Sequence, residues 1–450
     1  MGTHLGPRRD RGPRSDPDPR GDRSPRGDRD PRSDRDPRSD RGLEHLGRRT
    51  VRPRLLATAG PAFVAAVAYI DPGNFATNFA GGFRHGYDLV WAIALASVAA
   101  TLVQFLTSKA GLVTGQSLPE LCRARFSRKV NWMLWAQAEV VAMATDLAEF
   151  VGAAVGLHLV FHLPLLSAGG VTAVVAFAIL ALERRRRRRF VVAIAALLFV
   201  VGGAFVYLFL RVGGQRIGDF GSGMVPRIHN ADELTLVVAI VGATVMPHIV
   251  YAHSALQTHL HAQAMDVAER RRWVRYNLWD CMAGLGIAGV VNVSMLCIAA
   301  ALPTAVSASD GNLTAVHESL QRLGGGCALA FGVALIASGF ASSTVGTYSG
   351  QVVMSGFTRR RLPVVARRAI TMVPSLIVLA AAVEPTTALV FSQLVLSFCI
   401  PFALVPLILV SRDARVMREQ VNRHLVTAIA SLVAALIIGL NLYLIYSTLV

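Results

Sequence analysis

From residue 55 onward, long apolar runs alternate with short polar segments. A bilayer core takes roughly 20 residues of helix. The pattern predicts eleven membrane-spanning helices, at 55–80, 88–108, 131–155, 164–182, 190–210, 232–256, 277–302, 325–354, 364–383, 387–410 and 425–447. The first and the sixth carry proline beside polar residues at mid-span. In the first, Val64–Ile70 is apolar, Asp71-Pro72-Gly73-Asn74 interrupts it, and Phe75 resumes it. In the sixth the interruption is Val245-Met246-Pro247-His248. Proline removes a backbone donor and clashes with the preceding turn, and glycine adds freedom, so a break is predicted in each. The breaks lie five spans apart. An odd offset inverts one relative to the other across the membrane. That is the pattern of a five-plus-five inverted repeat with its site at the midplane between the halves. The fold class is therefore all-α and polytopic, with a first repeat at about 51–210, a second at about 228–410 and an extra helix at about 425–447.

Composition agrees. Of 450 residues, 53% are hydrophobic and 16% charged, and mean hydropathy is +0.48. Soluble domains carry nearer a quarter charged residues. The net charge of +17 invites a nucleic-acid reading, but 16 of the 45 Lys and Arg lie in residues 1–54 and most others fall between spans. No nucleic-acid partner is expected. Residues 1–50 form an Arg/Asp/Pro-rich tail that includes four hexads, DPRGDR, SPRGDR, DPRSDR and DPRSDR, from Asp18 to Arg41. With so few apolar residues it is predicted to be disordered and cytoplasmic. It has no apolar core of a secretory signal. Five scattered cysteines without a CxxC pair indicate neither a disulfide framework nor a zinc site.

Loop charge sets the orientation. Lys109, Arg123, Arg125, Arg128, Lys129, Arg184–Arg189, Arg270, Arg271, Arg272, Arg275, Arg359, Arg360, Arg361, Arg367, Arg368, Arg412, Arg415, Arg418 and Arg423 place 24 basic residues in alternate connections. The opposite connections hold five, Arg84, Arg211, Arg216, Arg227 and Arg322. Basic loops stay in the cytoplasm. The N-terminus is thus predicted inside a cell membrane and the C-terminus outside.

An ionisable residue within a span is costly and marks a functional site. Asp71 and Asn74, three residues apart, present side-chain oxygens on one side of a near-helical turn. Pro72 frees carbonyls of the preceding turn, Ala68 among them, and Pro247 frees those around Ala243 and Thr244. Met246 offers a thioether. Oxygen ligands alone suit Mg²⁺ or Ca²⁺, whereas one soft sulfur among oxygens suits Mn²⁺, Fe²⁺ or their neighbours. Two plainer readings stand beside this one: Asp71 as a helix cap, and Met246 as a gap-filling core residue. In the third span Glu139, Asp146 and Glu149 share one helical face. They read as a proton relay, as partners of Arg367 and Arg368 at the start of the ninth span, or as both. His248, directly after Pro247, reads as part of proton coupling, or else as a satisfied core histidine. His253 stays open between the same alternatives. Gln393 either completes a metal shell in one conformation or stays outside it. Gln104 reads as an interhelical hydrogen bond.

At these residues the chain resembles the NRAMP family of proton-coupled divalent metal transporters, including its bacterial manganese transporters. Asp71-Pro-Gly-Asn74 and Ala243-Thr-Val-Met246-Pro-His248 look like the family's two hallmarks. Ala138-Glu139 with Ala144-Thr-Asp146-Leu-Ala-Glu149 is similar to its acidic run. Ser342-Ser343-Thr344, Gly350-Gln351-Val352 and Arg367-Arg368 also match, and the resemblance extends over about 51–447. It implies a LeuT-like fold and alternating access, with metal held by Asp71, Asn74, Met246 and the Ala243 carbonyl. The Ala68 carbonyl and Gln393 would join in particular conformations. It also implies a proton route through Asp71, His248 and the acids Glu139, Asp146 and Glu149 toward Arg367 and Arg368. Mn²⁺ or Fe²⁺ and H⁺ would be cargo, with no permanent cofactor, and a monomer would suffice. The Arg/Asp/Pro tail is a departure that the family pattern does not explain.

The expectation is a proton-coupled importer of divalent transition metals. A same-fold importer of an organic solute such as an amino acid is the alternative, but a half-helix site for a substrate carboxylate would be repelled by Asp71. No HExxH, GxSxG or P-loop lies near the spans, so an enzyme is not expected.

Overall fold

The computed structural model describes residues 66–181, 192–258, 266–302, 311–360 and 362–449, and the backbone alone of 182–185 and 187–191. The Arg/Asp/Pro tail, the first part of the first span and the side chains of Arg184–Arg189 lie outside the described residues. In chain order the helices are α1 Pro72–His85, α2 Val90–Thr114, α3 Leu118–Arg125, α4 Arg128–Phe161, α5 Leu165–Arg185, α6 Arg187–Val212, α7 Ile217–Ser222, α8 Ala231–Val245, α9 Pro247–Thr258, α10 Val267–Ala300, α11 Leu313–Leu323, α12 Gly325–Thr358, α13 Val364–Ala380, α14 Pro385–Ser411, α15 Ala414–Met417 and α16 His424–Leu449. The described residues contain no strand. Among them eight helices, counting α8 and α9 as one, are long and apolar enough to cross a membrane. The protein is an all-α, multi-pass membrane protein.

Both predicted breaks are present. The first span turns at Tyr69–Asp71, where Tyr69 N bonds Ala66 O and Ile70 N bonds Val67 O, and α1 then starts at Pro72. The sixth is divided between α8 and α9 at Met246. Pro401 and Pro406 lie inside α14 without ending it. Neighbouring helices in a membrane bundle can absorb a proline, so proline alone does not make a break.

Several boundaries differ from the sequence expectation because polar caps, rather than the edge of the apolar run, end the helices. Asp266 accepts from Glu269 N and starts α10 ten residues before the predicted span. Arg270–Arg272 and Arg275 therefore stand on helix, not in a connecting loop. Ser127 starts α4 early in the same way. The short helices α3, α7 and α11 lie in segments that hydropathy left as connections. Arg367 and Arg368, counted above among loop charges, are buried within α13.

The broken span α8–α9 is central, with 94% of its most apolar window buried, against 22% for Val192–Val212 and for α16. Around it α12 runs along α4, α10 along α1, α9 along α2, and α14 along both α8 and α4. Side chains such as Val98, Phe199, Ile287, Val290, Phe391 and Leu425 point outward from the bundle. An apolar outer face belongs in lipid, where the helices satisfy their own backbone. All five cysteines are buried and unpaired, as small apolar residues would be.

Candidate metal centre

The two breaks meet. Asn74 Nδ2 donates to Asp71 Oδ1 at 2.7 Å and to the Ala243 carbonyl at 3.0 Å, joining positions 169 residues apart. Asp71, Asn74, Ala243 and Met246 are all buried. Pro247 has no N–H for the Ala243 carbonyl four residues earlier, so that oxygen is free to face the first break. Ala68 O stands in the same relation to Pro72. The other carbonyls of the first break are taken by neighbouring helices: Tyr69 O accepts from Asn292 Nδ2 at 3.0 Å, and Ile70 O from Ser338 Oγ at 2.8 Å.

Asp71 is a helix cap as well: its Oδ1 accepts from Asn74 N at 2.9 Å at the head of α1. Asn74 does not present its oxygen beside the carboxylate, as the spacing predicts. Two facing oxygens repel, and the amide is turned so that its NH₂ serves both acceptors, while Oδ1 faces Thr244 Oγ1 at 3.5 Å. Met246 lies in the same buried apolar cluster as Ala68, Tyr69 and Ile70. Gln393, on α14, is fully buried against Gly73. Its Nε2 donates to Ser392 Oγ at 2.8 Å, and its Oε1 has no hydrogen-bond partner among the described residues. A Cβ on Gly73 would overlap the Gln393 amide, and one on Gly242 would overlap the Gln393 backbone carbonyl. These two glycines admit α14 to both breaks.

A ladder of charge runs along α4. Arg367 forms a two-pronged pair with Glu139, Nη1 to Oε1 at 3.1 Å and Nη2 to Oε2 at 2.7 Å. Arg368 pairs with Asp146 and also bonds Ser343 Oγ. Its Nη1 lies 3.8 Å from Glu149 Oε2, too far for a hydrogen bond. The carboxylate side chains are 18%, 7% and 1% exposed in the order Glu139, Asp146, Glu149. One turn beyond Glu149, Gly152 abuts Pro72, beside Asp71. Gly346 leaves room for the Glu149 carboxylate, since a Cβ there would lie 2.8 Å from Oε1. His248 reaches the same helix through its Nδ1, 3.1 Å from Thr145 Oγ1. On the other side of the break, Gln104 donates to Tyr69 Oη at 2.8 Å and its Oε1 is 2.9 Å from His253 Nδ1. Gln104 is thus an interhelical link.

Sequence reasoning did not single out Asn292, Ser338 or Thr145. Asn292, a polar side chain within an apolar span, carried a signal. Ser338 and Thr145 carried none, because small hydroxyls are ordinary in membrane helices.

Two discontinuous helices meeting at a buried carboxylate define a broken-helix membrane transporter fold. Residues 62–447 match the family described as natural resistance-associated macrophage protein-like, Nramp, and the chain belongs to that family. It is 44% identical over 395 residues to the divalent metal cation transporter MntH of Bacillus subtilis, covering 88% of this chain and 93% of that protein. With MntH of Deinococcus radiodurans it shares 42% identity over 405 residues, 90% of this chain and 92% of that one. The crystal structure of a mutant manganese transporter from Eremococcus coleocola superposes with a TM-score of 0.78 at 30% identity, covering 86% of each chain. The fold extends to Mhp1, a nucleobase-cation-symport-1 transporter, with a TM-score of 0.58 at 16% identity over 82% of this chain and 80% of that one.

Proposed function

We propose that this protein imports divalent transition-metal ions, Mn²⁺ and also Fe²⁺, across the cell membrane in symport with protons by alternating access. The observation that carries this reading is the convergence of Asp71, Asn74 and the Ala243 carbonyl at two helix breaks, with Met246 in the second. Membership of the Nramp family and the manganese and divalent-metal transport of its relatives support it.

Metal enters the site when the Asn74 amide turns over, so that Oδ1 replaces NH₂ beside Asp71 and Ala243 O. Asp71 supplies the charge, Met246 the soft donor that disfavours Ca²⁺, and the Ala68 carbonyl and Gln393 Oε1 join as the half-helices tilt. Protons released at Asp71 and the neighbouring His248 pass along Glu149, Asp146 and Glu139 to the Arg368 and Arg367 end. The graded burial of those acids supports this direction. The basic end of the bundle faces the cytoplasm, with the N-terminus inside and the C-terminus outside. One copy of the chain contains every residue used.

Metal-competition uptake in proteoliposomes at two external pH values, with Met246→Ala beside the unmodified protein, tests the reading. Mn²⁺ uptake should rise at the lower external pH. Uptake indifferent to both the metal and the pH gradient would overturn it.

A further inference from the structure

At the far end of the outer half-helices from the metal centre, a second set of metal-ligating side chains comes together. One ligand atom each from Asp88, His229 and Glu233 lie within 4.8 Å of one another. Glu233 is buried, while Asp88 and His229 are exposed to solvent. Glu233 Oε2 accepts from His229 N at 2.7 Å, just before the Asn230 cap of α8. Its other oxygen, Oε1, lies 3.3 Å from His229 Nδ1 and 3.4 Å from His85 Nδ1. Donors bound at about 2.0–2.2 Å to one tetrahedral ion sit roughly 3.3–3.6 Å apart, the range of the two Oε1 spacings, while Oε2 lies 3.0 Å from His229 Nδ1 in the hydrogen bond that an ion would replace. The second nitrogen of His85, Nε2, is 2.8 Å from Asp232 Oδ2. A carboxylate behind the far ring nitrogen is the arrangement that fixes the tautomer and orientation of a metal-bound histidine. Arg84 pairs with the other Asp232 oxygen at 3.2 Å, and among the described residues no lysine or arginine forms an ion pair with Glu233 or Asp88.

We propose that Asp88, His229 and Glu233 form a second divalent-cation site, selective for first-row transition ions, which His85, 3.4 Å from Glu233, completes as a fourth ligand when an ion binds, and that the site ties the end of α1 to the start of α8. Its nitrogen and oxygen donors suit Mn²⁺, Fe²⁺ or Zn²⁺ rather than Ca²⁺ or Mg²⁺. An ion there links the two half-helices whose other ends carry Asp71 and Ala243. The site rests on the proposed transport function only in that this end is then the outer mouth; its existence does not depend on transport.

The test is pulsed EPR of Mn²⁺ added to the full, tag-free chain in lipid nanodiscs, reading ¹⁴N couplings from bound imidazole. The central donor set, Asp71, Asn74, Met246 and carbonyls, contains no imidazole, so the two sites have different signatures. Imidazole-coupled Mn²⁺ is expected in the unmodified chain and in Asp71→Asn. It should be lost in His85→Gln/His229→Gln, which retains Mn²⁺ without ¹⁴N coupling at the centre. Absence of imidazole-coupled Mn²⁺ from the unmodified chain at millimolar metal overturns the proposal, as does coupling that survives the double substitution. Coupling present in a protein that moves no metal across liposomes would sink the transport reading and leave this site standing.

Discussion

The side chain of Asn74 donates a 3.0 Å hydrogen bond to the carbonyl of Ala243, and through it the first helix break is fastened to the second. The same NH₂ holds Asp71 Oδ1 at 2.7 Å. One amide therefore bridges the only carboxylate at the breaks and the carbonyl that Pro247 leaves free.

Asn74→Ala should strand the buried Ala243 carbonyl, while Asp71 Oδ1 keeps the backbone N–H of residue 74. Leaving a buried polar group unpaired costs about 1–3 kcal/mol. Thermal unfolding in detergent should show a lower midpoint, and Mn²⁺ uptake should fall as well. A variant with unchanged midpoint and uptake would remove Asn74 from the bridge.

Asp71→Ala should abolish uptake, since it removes the only charged donor of the centre. Met246→Ala should act differently. It should retain part of the Mn²⁺ uptake but lose discrimination against Ca²⁺, because only the soft donor is gone. Competition of Ca²⁺ with Mn²⁺ in proteoliposomes measures this, and unchanged discrimination would return Met246 to a packing role.

Gly73 and Gly242 approach the same residue of α14 in different ways, and a double-mutant cycle separates them. Overpacking a filled interior costs about 1–3 kcal/mol. Gly73→Ala meets the side chain of Gln393, so Gln393→Ala should restore the unfolding midpoint. Gly242→Ala meets the Gln393 backbone, and the same second substitution should restore nothing. Equal rescue of both would contradict the packing described.

Arg368→Ala should destabilise more than it first suggests, by about 3–5 kcal/mol, because a buried carboxylate is left without its cation. Asp146→Asn in the same chain should recover a large part of that loss. Thermal unfolding of the single and double variants is the measurement. A double variant no more stable than Arg368→Ala would assign the loss to packing rather than to charge.

Much of this was legible in the sequence because the relevant physics is local. In Asp71-Pro72-Gly73-Asn74 and Met246-Pro247-His248, proline's missing donor stands beside polar residues, a local signal of a break that the prolines within α14 lack. The period of a helix already puts Glu139, Asp146 and Glu149 on one face. Where the helices end was less legible. Ser127 and Asp266 extend α4 and α10 beyond their apolar runs, and hydropathy does not register a capping side chain.

Pairing was decided only by the tertiary structure. Sequence allowed Arg367 and Arg368 as partners of the acids, but not which arginine takes which carboxylate. Glu139 goes to Arg367 and Asp146 to Arg368 because α13 crosses α4 in one register. The orientation of Asn74 also depends on a partner 169 residues away. So does the meeting of His85 and Asp88 with His229 and Glu233, which belong to different half-helices and show no common motif. A chain's own period and breakers fix what each segment does alone. Which side chains share a site depends on how the segments pack, and the sequence states that only through all of its contacts at once.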